Sequence, residues 1–172
     1  MKTKLTVSLV GLMAFSAFGV LLNLFTDYDF VREHSSDIIV VRCITNPLTQ
    51  FNSSPTDPDI NAFPVAILAN IRGTNFSGSA SLISKHWLNV NDYYLIFGQR
   101  VNDKCQALED FRVIPLGRDV NSAGEITNSI AGKPEDEQLQ ILFKRGLDHA
   151  SRQIQEQQDE KQRLEGAVKN SI

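Results

Sequence analysis

The chain has 172 residues, a formal net charge of -3 and a hydrophobic fraction of 42%. Setting aside an apolar N-terminal stretch and a polar tail leaves about one hundred residues, which makes one small domain and not two. The mildly acidic balance, with Lys and Arg scattered singly, excludes a nucleic-acid partner, because phosphate binding rests on clustered basic side chains.

Lys2 and Lys4 precede a stretch from Leu5 to Phe25 that carries no charge. As a helix it would reach about 30 Å, the thickness of a bilayer core. The lysines before it, and Asp27 and Asp29 after it, favour a cytoplasmic N-terminus. Residues 1–25 therefore read as a signal peptide or a signal-anchor helix. Ala17 and Gly19 offer a cleavage site, whereas Val20 to Phe25 continue the apolar run as an anchor would. A buried helix of a soluble core is the bland alternative. The segment has no cysteine for a lipid, and the remainder is expected to be extracytoplasmic, either anchored or released as a secreted or periplasmic protein.

Residues 26–36 read as a linker and 37–117 as a β domain. Asp37 to Ile44 (DIIVVRCI) is dense in β-branched residues, as a well-buried strand should be. Gln50 to Asn61 is polar and holds two prolines, the composition of a loop. Phe63 to Arg72 alternates, with Phe63, Val65, Ile67, Ala69 and Ile71 on one face. Ser79 to Ser84, Tyr93 to Phe97 and Phe111 to Leu116 complete a set of short strands at near-regular spacing, which indicates a small barrel or sandwich. In an oxidising compartment Cys43 and Cys105 are expected to form a disulfide. Closing that loop of about sixty residues would stabilise the fold by about 4 kcal/mol at most. Two buried free thiols are the alternative.

After a linker at 118–133, residues 134–168 form an amphipathic helix. Pro134 suits the first helical position, and Glu135, Asp136 and Glu137 place negative charge at the positive end of the helix dipole. Leu139, Leu142, Phe143, Leu147, Ala150 and Ile154 make an apolar stripe at helical spacing. Gln157 and Lys161 interrupt it before Leu164 and Val168 restore it. The first half should dock on the barrel and the second half should be solvated. A partner-helix seam through Leu147, Ala150, Ile154, Lys161, Leu164 and Val168 is the sharper alternative, with weak self-association at most.

No catalytic or metal motif emerges, and no cofactor is expected. His34, His86 and His149 lie far apart, without a second ligand at metal spacing. Asp57, Asp59 and Asn61 open like a calcium loop, but Ala62 stands where the turn needs Gly, and Leu68 where a bidentate carboxylate belongs. Gly73 to Gly78 lacks the lysine of a phosphate loop, and Leu82 replaces the second glycine of a nucleophile elbow around Ser79 to Leu82. Asn52 and Asn75 open formal glycosylation sequons.

Four features, taken in order, resemble one known family. They are the opening strand SDIIVVRCI with its long following loop, a strand ending in Ile71-Arg72-Gly73, the segment Tyr93-Tyr94-Leu95-Ile96-Phe97-Gly98, and a later cysteine at Cys105. Together they resemble the netrin-module and metalloproteinase-inhibitor type of OB-fold, in a small bacterial-looking form, over residues 36 to 117. The resemblance implies a mainly β, five-stranded OB-like barrel, here with an N-terminal hydrophobic helix and a long C-terminal α-helix. The inhibitor members chelate a target's zinc through a cysteine at the mature N-terminus. No cysteine precedes Cys43 here, so that mechanism has no residue to carry it.

The leading expectation is thus an exported, non-enzymatic OB-type module that binds a protein partner at or near the outer face of a membrane. One alternative is an oligosaccharide- or peptide-binding OB domain using His86, Trp87, Tyr93 and Tyr94. Another is a hydrolase whose site gathers Asp57, Asp59, His86 and Asp92 only on folding.

Overall fold

The computed structural model describes residues 28–51, 60–73, 76–101, 107–118 and 122–169. The N-terminal apolar segment, Cys105, Asp57, Asp59 and both sequon asparagines lie outside them. The chain divides into two units, one of Val31–His149 and one made up of residues 1–30 and 150–172.

The larger unit is a closed five-stranded barrel. β1 (Asp37–Cys43), β3 (Ile60–Arg72), β4 (Ser79–Ser84), β5 (Tyr93–Arg100) and β6 (Ala107–Gly117) follow the order β1-β5-β6-β4-β3, and a β1–β3 pairing closes the ring. Every pairing is antiparallel except β4 with β6. This is the OB-like topology. β2 (Thr49–Phe51) pairs with Ile60 to Ala62 of β3, inside a region whose polarity predicts only loop. Its three residues precede the prolines, so nothing there forbids ladder hydrogen bonds.

The interior follows from alternation along each strand. Ile39, Val41 and Cys43 of β1 meet Phe63 and Val65 of β3, Ala80 and Leu82 of β4, Tyr94 and Ile96 of β5, and Leu108 of β6, with Phe76 and Leu88 joining from loops. The alternate residues of β1 and β5 are buried too, Ile38, Val40, Leu95 and Phe97 among them. That second apolar face is why these two segments read as continuous hydrophobic runs. Helices supply its cover. α2 (Ser122–Ile130) buries Ile126 and Ile130, and α3 (Glu135–Lys169) buries Leu139 and Leu142. The Phe143 ring lies 6.0 Å from that of Phe97. Each such large side chain removed from water contributes about 1.5–3 kcal/mol.

Two short helices replace expected linkers. α1 (Tyr28–His34) leads into β1, and α2 fills most of 118–133. α2 escapes sequence reading because SAGEITNSI is poor in helix formers, and tertiary burial of its two isoleucines outweighs that propensity.

Arg72, at the end of β3, ties this architecture together. Its guanidinium donates to the Glu135 carboxylate (Nε to Oε2, 3.1 Å) and to the carbonyl oxygens of Arg32 and Ser35. Arg32 in turn donates to Glu135 and Asp136. One forked side chain thus joins the end of α1, the end of β3 and the first turn of α3. Gly73 follows with φ +91°, and a Cβ there would sit 2.4 Å from Asp37 Oδ1. The basic–glycine ending of this strand is therefore demanded locally.

Candidate functional site

One end of the barrel gathers the loops after β1 and β4. Cys43 N–H donates to Asp92 O (3.1 Å), Ile44 N–H to Pro64 O (2.9 Å) and Leu48 N–H to Ala62 O (3.0 Å). The loop after β4 carries Trp87, which is 57% exposed, with its ring 5.7 Å from Phe63 in an edge-to-face arrangement. A lone tryptophan more often ends in a core; this one stands on the rim of the barrel mouth. Beside it Lys85 and His86 are exposed, as is Leu48 on the loop after β1.

Beneath the rim lies a polar layer. Asn61 of β3 is paired in register with Ser84 of β4 and is buried, and Ser84 is 1% exposed. The Ser84 hydroxyl accepts from His86 N–H (2.9 Å), and its own proton is shared between Asp110 Oδ2 (3.1 Å) and His86 O (3.1 Å). Asp110 immediately precedes a register shift in β6 that leaves Phe111 outside the ladder and exposed. Burial pushes the Asp110 carboxyl above its ordinary range, opposed by the Ser84 hydrogen bond and the field of His86.

Serine, histidine and carboxylate thus come together without forming a catalytic relay. The Ser84 oxygen meets the backbone of His86, not its imidazole, and Ser84 is 1% exposed. Asp92 is engaged elsewhere, accepting from Arg118 Nε (2.7 Å). Sequence reading placed Asp110 before its strand, since β6 was expected to begin at Phe111. The alternation Leu108, Asp110 was the available signal.

Tyr93 and Tyr94, expected as exposed aromatics, are instead buried in the barrel wall. They are 5% and 3% exposed, because β5 lies between β1 and β6 with both of its faces covered. Tyr94 OH accepts the Asn89 N–H (2.7 Å), and burial pushes its pKa up to about 12. The expected disulfide partner Cys105 lies outside the described residues; Cys43 itself is a buried thiol that donates to Thr45 O (3.3 Å). Desolvation raises its pKa, with the Asp92 charge adding to the effect.

The remaining expected contacts lie on α3. Leu147, Ala150, Ile154 and Lys161 are half-buried, whereas Leu164 is 56% exposed. The side chain of Val168 lies outside the described residues. Among the described residues no group of three or more His, Cys, Asp or Glu is placed to hold a metal ion. No described helix is long and apolar enough to cross a membrane. No protein-family model matches the chain, and no curated protein matches it in sequence.

Proposed function

We propose that this chain is an exported, non-enzymatic interaction module that binds a protein partner through its barrel mouth, with residues 1–25 holding it at or near the outer face of a membrane. The observation that carries this reading is Trp87, a large aromatic left exposed on the rim of an otherwise well-filled OB-like barrel. Exposed tryptophans of this kind anchor interfaces. A binding role is further supported by the burial of Ser84, which leaves the serine–histidine–carboxylate cluster without a reachable nucleophile. The resemblance to the netrin-module type belongs to the same reading and rests on the order of the SDIIVVRCI strand with its long loop, Ile71-Arg72-Gly73, the Tyr93–Gly98 segment and Cys105.

The test is capture from membrane extracts by the full chain and by Trp87→Ala. A partner held by the parent and lost by the variant is the expected result. Equal recovery by both, or no specific partner at all, would remove the proposal's basis. Recovery in the soluble fraction with an intact N-terminus would overturn the membrane assignment.

A further inference from the structure

We infer that Arg100 is a receptor for a carboxylate, set at the end of the barrel opposite the loop after β1. β5 runs antiparallel to β1, so its last residue lies at the end where β1 begins. There Arg100 is paired with Leu108 of β6, and residues directly opposite in an antiparallel pair share a face. Leu108 belongs to the barrel interior, so the Arg100 side chain sets out from the inner face.

What it meets there is a ring and not an acid. The guanidinium carbon lies 4.3 Å from the ring centroid of Phe76, which joins the interior from the loop after β3 and is 3% exposed. Phe76 is itself fixed in place. Asn70 Nδ2 donates to its carbonyl oxygen (2.9 Å), and its own N–H donates to Asn70 Oδ1 (3.1 Å). The cation therefore rests on a platform that cannot move away from it.

Arg32, Arg72, Arg118 and Arg145 each meet a carboxylate of the chain. Half-buried Arg100 meets none among the described residues, and its Nε is sealed from water without an acceptor. A charge partly stripped of water and left uncompensated is costly, so an incoming anion gains more here than at a solvated side chain. Nη1 and Nη2 are not sealed in this way, which leaves the end of the fork open to a ligand. Two parallel N–H donors match the two oxygens of a carboxylate. One guanidinium balances one charge. A phosphate group carries about 1.5 to 2 and draws on clustered bases, whereas Lys and Arg are scattered singly in this chain.

The Arg100 Nε–H gives a side-chain NMR signal, assigned by its loss in Arg100→Gln. Full-length, isotopically labelled protein in neutral detergent is titrated with butyrate at constant ionic strength, and in parallel with butyramide, its uncharged analogue. The expected result is a saturable shift of this signal with butyrate and a response about tenfold weaker or less with butyramide. In Arg100→Gln the butyrate response, read at the Phe76 backbone amide, should weaken about tenfold. Arg42→Gln, on an exposed side chain of β1, should change it less than about twofold. Without ligand, Arg100→Gln should melt within about 2 °C of the parent, because no ion pair is lost. A larger fall would reveal a structural partner for Arg100 and overturn the inference. So would a failure to saturate with butyrate, equal response to both probes, or an equal shift of the Arg72 Nε–H. Inorganic phosphate saturating the signal at a lower concentration than butyrate would refute the carboxylate assignment. Nothing in this test depends on Trp87, so capture at the rim and anion binding here stand or fall separately.

Discussion

Gly146 sits in the middle of α3, where glycine costs about 1 kcal/mol relative to alanine, so Gly146→Ala should stabilise the helix if helix propensity alone decided. The packing predicts the opposite sign. A Cβ at this position would lie 2.8 Å from Ile114 Cγ2 and 3.3 Å from the backbone oxygen of Pro115. Ile114 is buried and β-branched, and Pro115 is paired in register with Tyr94 in the barrel wall. Neither neighbour can turn aside as the tip of a long side chain would. Overpacking of this kind costs about 1–3 kcal/mol, which leaves a net destabilisation of about 1 kcal/mol after the helix gain. For a domain of this size that lowers the melting temperature by about 3–6 °C. Gly166, in the same helix, has nothing within 4 Å of the same hypothetical atom. Gly166→Ala should therefore deepen the helical circular-dichroism signal without lowering the melt. If Gly146→Ala raised the melting temperature, the close approach of α3 to β6 would not be as described.

Arg72→Ala should cost about 1–3 kcal/mol in chemical denaturation, because its fork links three elements at once. The Arg72 hydrogen bond, followed by its charge and the contacts of Arg32, holds the Glu135 carboxyl below its ordinary range, outweighing partial burial. A depressed carboxylate contributes stability above its unfolded value and loses it as pH falls through the folded one. Glu135→Gln should thus destabilise at neutral pH and match the parent in acid, as compared by thermal melts. Cys43 should resist iodoacetamide in the native protein at neutral pH and react only in denaturant, since it is buried and its thiolate is disfavoured; rapid native labelling on mass spectrometry would contradict this. Truncation from Gln155 onward should leave the barrel's melt unchanged, whereas truncation before Leu139 should abolish cooperative unfolding, because Leu139 and Leu142 are fully buried. Equal losses in both truncations would make the distal helix structural.

What sequence could reveal depended on whether local pattern and tertiary environment agreed. β1 and β5 were legible because burial on both faces leaves an uninterrupted apolar run, and the docking half of α3 because its stripe recurs at helical spacing. β2 and α2 were not, since a three-residue strand and a helix with two buried isoleucines acquire their structure from what they rest against. The tyrosines misled for a related reason. Their hydroxyls suggest a surface, yet Tyr94 satisfies its own through a backbone amide inside the barrel. Trp87 was legible as a residue of interest, but its exposure was not. Asp110 became visible only once the strand was seen to start earlier.

Closure of the barrel by β1 against β3 limits how anything can be recognised. Many domains capture extended peptides by letting them join a sheet as one more strand, reading main chain and not side chain. That mode needs an open row of backbone donors and acceptors along an edge. Here the ring is thinnest where β4 meets β6 over only Ser81–Ile83 and Ala107–Glu109, so the rest of β6 pairs with β5 alone, and α3 approaches its end with Arg145 Nε donating to Leu116 O (3.2 Å). That leaves little open backbone to hold a guest. Selectivity therefore falls to side chains on the loops, which leaves the scaffold free to stay constant while substitutions at the rim redirect it to a different partner.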